Sequence, residues 1–468
     1  MGETTQPFDV AVLGGGITGL ATAFWAQRGS ARTVLLEGGP RVGGSLRTLR
    51  RDGWTFELGA NTVLDKPSVS ELLRAAQLED GRQPPASIAG RRWVWARGAL
   101  RQMPSGPASF LGSRLLPMGA KLAVLREPFV SRRVAADEES LADFVRRRLG
   151  AGWLENAVGP FVSGVYAGDP ERLSVRWAVP RIAALEADHG SLVRGALAKR
   201  KGPNPDGGSG LLGYRGGFSE LTARLAARLR DLRTDTEAIR LRPNPDGFLI
   251  ETTDGTVAAR QVVVALPARA TGELLASASD GASLALAAMP HAPVVVASLG
   301  YRRRQVAHRL DGFGFLAARG HGLRALGCLF TSSLFPDRAP EGQVALTVFA
   351  GGRNDESLAA CPEDYLLEVI GRDLKRALGV QGEPTFRHLQ RWRQAIPQYE
   401  LGHGRYVALA EALEERFPGL HLAGNWRDGV SVPDSLARAA AVADRVLATT
   451  LGQRSRQPAC CEPALAAV

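Results

Sequence analysis

The chain has 468 residues, of which 45% are hydrophobic and 22% charged, and these proportions exclude a collagen-like or wholly disordered protein. At that length two to four lobes are expected, enough to enclose a sizeable ligand. Lysine and arginine (58) exceed aspartate and glutamate (47) by 11, which favours acidic partners such as phosphates, carboxylates or anionic lipid without choosing among them.

In chain order, residues 8–13 read as a short apolar strand, followed at once by the glycine string 14–19 (GGGITG) and a helix over 17–28 that Gly29 would cap in a left-handed conformation. A second strand, 32–36, ends in Glu37. Gly14, Gly16 and Gly19 therefore fit G-x-G-x-x-G between a strand and a helix. The first glycine permits the turn, the second lets a pyrophosphate approach the backbone, and the third lets helix and strand close up. The amides of Ile17 and Thr18 at the helix entry face the anion. Glu37 stands eighteen residues after Gly19, where a carboxylate accepts hydrogen bonds from both ribose hydroxyls of an adenosine. That acid disfavours a 2′-phosphate and leaves FAD or NAD. Gly38 and the next loop, with Arg41, Gly43, Gly44 and Arg47, add a second phosphate-binding glycine pair that an NAD fold does not need. Residues 54–62 (WTFELGANT) would run Gly59, Ala60, Asn61 and Thr62 along the isoalloxazine side.

From Pro84 to about Gly210 the sequence turns arginine-, alanine- and leucine-rich with interrupting prolines, and reads as a helical insert. Residues 201–210 read as a loop, 218–232 as a helix, and 248–253 with 261–266 as a hairpin around Asp254-Gly255. Segments 294–301, 325–330 and 344–349 are β-rich and point to a second sheet. A short strand at 420–423 leads through Gly424 and Asn425 to Val430, Ser431 and Val432, which read as the entry to a helix over 435–451 returning its N-terminus to the same cofactor. The expected fold class is thus mixed α/β: a Rossmann-like FAD-binding domain (7–83, 211–280 and 405–452), a substrate domain on an antiparallel sheet (281–404), an inserted helical lobe (84–210) and a disordered tail (453–468).

No apolar run reaches the ~18 residues of a spanning helix, since the longest, 282–299, carries Ser283, Pro290, His291 and Pro293. The first nine residues lack the features of a signal peptide. Cys328, Cys361, Cys460 and Cys461 show no zinc spacing, so no metal is expected and free thiols in a reducing cytoplasm are. The arginine triplets 146–148 and 302–304 read as solvated faces. No aromatic platform accompanies them, and nucleic acid is not an expected partner.

Together the glycine turn, the second glycine loop, the 54–62 segment and the C-terminal entry resemble the flavin-containing amine oxidase superfamily. The strings 160–174 (PFVSGVYAGDPERLS), 310–316 (LDGFGFL), 326–340 (LGCLFTSSLFPDRAP), 392–399 (WRQAIPQY) and 420–432 (LHLAGNWRDGVSV) resemble its protoporphyrinogen oxidases in particular. The resemblance implies FAD as cofactor, a tetrapyrrole bearing propionates as substrate, and dioxygen as acceptor. It implies oxidation of protoporphyrinogen IX to protoporphyrin IX by loss of six electrons in three flavin cycles, with peroxide released. By the same resemblance Arg97 pairs with a propionate, Leu316, Leu329 and Phe349 sandwich the macrocycle, and Ala167 and Gly168 form a pocket wall. No catalytic residue is implied, because the flavin and the substrate carry the chemistry. The helical lobe attaches relatives to a membrane, and residues 110–133 mix Leu, Met and Phe with Arg and Lys in a way that suits peripheral contact with anionic lipid. The C-terminal motif departs from other branches at Val432-Pro433-Asp434, where proline removes an amide donor. Coproporphyrinogen III as substrate, a non-catalytic porphyrin carrier and a homodimer stay open. An amine substrate is disfavoured, because no lysine and aromatic cage stand beside the flavin segment.

Overall fold

A computed structural model describes residues 6–133, 137–201, 210–276 and 280–454. The expected tail beyond Arg454, with Cys460 and Cys461, and most of the 201–210 loop lie outside the described residues.

The first sheet is seven-stranded. Phe8–Leu13 lies between Thr33–Leu36 and Gly255–Val264, and is parallel to both. Its interior residues are fully buried, as a central parallel strand covered on both faces requires. Val10 and Val12 join one core with Leu20, Leu35 and Leu436, whereas Ala11 and Leu13 join the opposite core with Val34, Leu422 and Trp426. Gly255–Val264 plays two roles. Its first half closes an antiparallel hairpin with Gly247–Thr252; its second half pairs in parallel with Phe8–Leu13 and with Leu420–Leu422. The helix Ile17–Arg28 packs on this sheet, and the last helix, Val432–Arg454, lies against it: a side chain at Gly29 would collide with Leu447. Close packing therefore accounts for Gly29, whose φ of −80° is not left-handed; Ser30, at 69°, takes that conformation. The helix after Gly217 stops at Ala226 rather than 232, because Leu232–Arg233 form an edge strand paired with Leu35 and Leu36.

The second sheet is also seven-stranded. In spatial order it runs Phe386–Pro397, His291–Arg302, Gln343–Gly351, Ala325–Leu329, Gly314–Ala317, Trp93–Ala96, Ala99–Gln102. All its pairings are antiparallel except Gly314–Ala317 with Trp93–Ala96. The hairpin Trp93–Gln102 corrects the expectation of helical texture from Pro84 onward: two four-residue strands around Arg97-Gly98 extend the sheet. One face, with Val295, Phe315, Cys328 and Val348, is buried beneath the helix Glu363–Leu378.

Helices dominate from Pro107 to Lys201, around a core of Leu141, Phe144, Val145, Val162 and Leu173. Here the arginine triplet departs from a solvated face. Arg146 is half exposed and pairs with Glu171, and Arg147 bridges Glu139 and Glu186, but the Arg148 side chain is wholly buried. It is held by Glu127 at 3.1 Å, by Glu186, and by the carbonyls of Val130 and Gly190. Glu127 in turn accepts hydrogen bonds from Ser191 and from the amides of Leu192 and Val193. An arginine so placed tolerates burial only because its charge and donors are met.

Candidate active site

Four distant stretches of sequence converge at one end of the first sheet. Ile17, Val42, Ala60 and Val432 are half-buried residues packed on a single core cluster. The glycine turn and the second glycine loop touch directly: Gly16 bridges Gly43, and the Gly43 amide donates to the Gly15 carbonyl at 2.8 Å. The Leu58 amide donates to the Arg47 carbonyl, which sets Gly59 and Ala60 beside that loop. At the C-terminal entry, Lys66 pairs with Asp434 at 2.9 Å and Ser68 donates to the Pro433 carbonyl, so the first turn of the last helix is clamped despite its proline. Ser431 accepts from the Asp434 amide and caps this turn.

Within that junction the residues are graded by depth. Thr18, Gly19, Gly43, Asn61 and Gly424 are buried; Gly16, Ile17, Glu37, Arg47, Gly59, Ala60, Thr62, Asn425, Val430, Ser431 and Val432 are partly open; Gly38, Arg41 and Gly44 are exposed. The Glu37 carboxylate accepts from the Gly15 amide at 2.6 Å and from the Gly39 amide at 2.9 Å. It is thereby fixed at the strand end with its remaining lone pairs available. Gly14 and Gly16 differ in kind. At Gly14, φ is 104° and a Cβ would stand 2.7 Å from the Ala265 carbonyl oxygen; at Gly16 nothing lies within 4 Å. The open space over Gly16, at the N-terminus of a helix, is a place where a pyrophosphate can approach the backbone amides.

The other wall is the opposite face of the second sheet, partly covered by the helix Gly159–Tyr166 and Ala167. Leu316, Gly327, Phe349, Val296 and Gln390 lie opposite one another across five strands, so they share a face. Two residues along, Leu329 and Trp392 lie on the same face. Leu316, Leu329, Phe349, Leu326 and Trp392 are all half-buried, a flat apolar floor. Ala167 packs on the cluster that holds Phe349 and Trp392. Trp392 Nε1 donates to the Leu58 carbonyl at 2.6 Å, and the Arg47 guanidinium lies 6.0 Å from the Trp392 ring. This contact joins the floor to the glycine-lined junction.

Ala167 ends the helix Gly159–Tyr166 in the left-handed conformation, with φ at 47°. Gly168, next to it, has no room for a side chain: a Cβ there would lie 2.7 Å from Gln398 Oε1 and 2.9 Å from Leu173. Arg97 stands apart from the floor. It is exposed at the hairpin turn, with φ at 54°, and its backbone amide donates to His321 Nδ1 at 3.1 Å. Its strand borders the one that carries Leu316. The structure therefore brings Ala167, Leu316, Leu329 and Phe349 together and sets Arg97 at the rim.

Trp392, Leu326, Gln398 and Tyr399 carry no role in the sequence reading. Trp392 and Tyr399 belong to the string WRQAIPQY, where an aromatic residue in a strand was the available signal. Tyr399 is buried. Its hydroxyl donates to the Asn425 carbonyl at 2.6 Å and accepts from the Gly429 amide at 2.8 Å. His403 stacks on it at 4.0 Å, and burial lowers the imidazole to about 4, so the stack is neutral. Burial, followed by the nearby Asp434 charge, pushes the Tyr166 phenol up to about 12, so it remains a donor, to the Ala178 carbonyl. Among the described residues no group of His, Cys, Asp or Glu is arranged to hold a metal.

The chain that carries this cradle and apolar floor matches known proteins over most of its length. The model of the flavin containing amine oxidoreductase family matches residues 17–447. The chain belongs to that family. Among its curated relatives are the mitochondrial protoporphyrinogen oxidase of Nicotiana tabacum, 30% identical over 94% of both chains, and the coproporphyrinogen III oxidase of Bacillus subtilis, 29% identical over 93% of this chain and 97% of the other. A solved structure described as a putative protoporphyrinogen oxidase from Exiguobacterium superposes with a TM-score of 0.81 at 25% identity, covering 94% of this chain and 98% of that one. Reduced UDP-galactopyranose mutase, at 17% identity and a TM-score of 0.72, shares the fold alone. The family's flavin fits the residues present: the open cradle at Gly16, the anchored Glu37 and the half-open row from Gly59 to Thr62 are what an extended dinucleotide requires. Among the described residues no helix is long and apolar enough to cross a membrane.

Proposed function

We propose that this protein is an FAD-dependent porphyrinogen oxidase acting on protoporphyrinogen IX. The observation that carries the reading is the flat half-buried floor of Leu316, Leu329, Phe349 and Trp392, hydrogen-bonded through Trp392 to the segment that leads to Gly59. Bound in the cradle, FAD supplies the hydride acceptor and the route of electrons to dioxygen, three dioxygens becoming three peroxides for each porphyrin formed.

The chain's own part is positional. Glu37 holds the ribose hydroxyls, the amides of Gly16 to Thr18 hold pyrophosphate, and Gly59 to Thr62 flank the ring system. Gly38, Arg41, Gly43, Gly44 and Arg47 border the phosphates, and Gly424, Asn425, Val430, Ser431 and Val432 close the ribityl side. The floor and Ala167 shed water from the macrocycle, at ~25 cal/mol for each Å² of apolar surface covered. Arg97 at the rim offers a bidentate donor pair to a propionate. No strong protein base is needed: loss of hydride from a methylene between pyrroles leaves a cation that the pyrrole nitrogens stabilise, and the product is aromatic. Holding that methylene against the flavin supplies the catalysis.

The helical lobe is proposed as a peripheral membrane foot, since Leu111, Met118, Leu122, Leu125 and Phe129 are all more than half exposed and Lys121 and Arg126 stand among them. The Bacillus relative favours one second reading, coproporphyrinogen III as substrate of the same site. The test is a fluorescence assay in air that compares the two porphyrinogens and counts peroxide. Preference for protoporphyrinogen with three peroxides per porphyrin supports the first reading; preference for coproporphyrinogen selects the second, and turnover of neither removes both.

A further inference from the structure

The residues that follow the strand Phe386–Pro397 touch three parts of the molecule at once. Successive side chains of an extended chain point to opposite sides, and Gln398 and Tyr399 use this to reach two walls of the site. Gln398, 1% exposed, donates from Nε2 to the Tyr166 carbonyl at 2.9 Å, at the end of the helix that delivers Ala167. Its Oε1 is buried and unpaired, and it lies under Gly168. Tyr399, 3% exposed, reaches the other way and spans the loop from Asn425 to Gly429 by donating to one end and accepting from the other. Its backbone is fixed as well, because the Ser174 amide donates to the Tyr399 carbonyl at 2.8 Å. The ring cannot swing, with His403 stacked on it and Trp177 edge-on to His403 at 5.6 Å.

Resting on the flavin reading above, we infer that Gln398 and Tyr399 are positioning residues that form one joint. Tyr399 sets the cofactor segment 424–432, Gln398 sets the substrate wall at Ala167 and Gly168, and the peptide bond between them fixes the spacing of the two. The chemistry requires such a joint. Hydride transfer needs the reacting atoms held near 3–3.5 Å, yet the two walls come from residues more than 250 positions apart in the sequence. The loop 425–429 presents a half-buried carbonyl, of Asn425, and a half-buried amide, of Gly429, and the phenol is the partner of both, because it can donate and accept at once. Phenylalanine keeps the stack with His403 and removes only the two hydrogen bonds.

The test compares wild type, Tyr399→Phe and Gln398→Met as full-length proteins stripped of flavin. FAD is titrated back by fluorescence quenching, and melting is followed with and without FAD. Tyr399→Phe is expected to raise the FAD dissociation constant about tenfold or more while the flavin-free melting curve moves little. Gln398→Met is expected to keep wild-type FAD affinity and raise KM for porphyrinogen with kcat changed less. Wild-type FAD affinity in Tyr399→Phe overturns the joint, as does an equal loss of FAD affinity in both variants. Failure of the wild type itself to bind FAD overturns the flavin reading, and the joint falls with it. Should Tyr399→Phe not fold, amide exchange in the wild type decides: protection of the Gly429 amide is expected, and fast exchange there overturns the inference.

Discussion

Two glycines in one turn give a decisive contrast. Gly16→Ala places a methyl where nothing lies within 4 Å, at a φ of −68° that alanine adopts freely. Folding stability of the flavin-free protein should change by less than ~1 kcal/mol, since the loss of a favourable N-cap residue and the reduced freedom of the unfolded chain oppose each other. The same methyl fills the pyrophosphate cradle. Losing two charge-assisted amide hydrogen bonds, each worth ~1.5 kcal/mol or more, weakens FAD by about 100-fold. Gly14→Ala behaves in the opposite way. Its Cβ would stand 2.7 Å from the Ala265 carbonyl oxygen and 2.9 Å from Leu266, with φ at 104°. Relieving that contact moves backbone by roughly 0.5 Å, and overpacking adds ~1–3 kcal/mol to a positive-φ strain of similar size. Melting of the flavin-free protein and the ratio of flavin to protein absorbance separate the two effects. Full flavin content in Gly16→Ala would refute the pyrophosphate placement, and an unshifted melting curve in Gly14→Ala would refute the steric argument.

Arg148→Met leaves Glu127 buried without a cation and Glu186 with Arg147 alone, and should cost ~3–5 kcal/mol, read by chemical denaturation; a loss under ~1 kcal/mol would show the network to be dispensable. Burial pushes the Glu186 carboxyl up, but hydrogen bonds from Arg147 and Arg148 more than reverse it and its value lies below the ordinary 4.5. The stability it contributes is therefore complete above that pH and fades as pH falls through the lower folded value, so the cost of Arg148→Met should shrink in acid. Arg97→Ala should raise the KM for porphyrinogen severalfold at unchanged FAD content, and equal kinetics would remove Arg97 from the site. Leu125→Ser with Phe129→Ser should reduce sedimentation with anionic vesicles at unchanged porphyrinogen turnover in detergent; vesicle binding equal to wild type would refute the proposed foot.

Local chemistry was the legible part. Strand, glycine turn, helix and terminal acid lie within thirty residues, so the cradle and Glu37 could be read from spacing, as could the β-rich segments of the second sheet. What sequence hides is long-range. Trp392 meets Leu58 across 334 positions, and nothing in either segment announces the other. The triplet 146–148 has the composition of a wetted helix face, yet one of its three cations is the centre of a buried network because Glu127 and Glu186 come to it from elsewhere. The hairpin Trp93–Gln102 was obscured because its strands are short and lie in arginine-rich sequence, although Arg97-Gly98 between two apolar pairs is a turn signal.

The strand Gly255–Val264 has a temporal consequence. Its last residues find a neighbour on one side in the N-terminal strand and on the other in Leu420–Leu422, and the last helix closes over Gly29. The cofactor cradle is thus begun about 400 residues of synthesis before the strand and helix that finish it. At ~5–20 residues per second, the early strand and its glycine turn wait tens of seconds for their completing partners. During synthesis the exposed edge of that half-built sheet needs a chaperone or speed, and flavin can be captured firmly only once Leu420–Leu422 and the helix Val432–Arg454 have emerged.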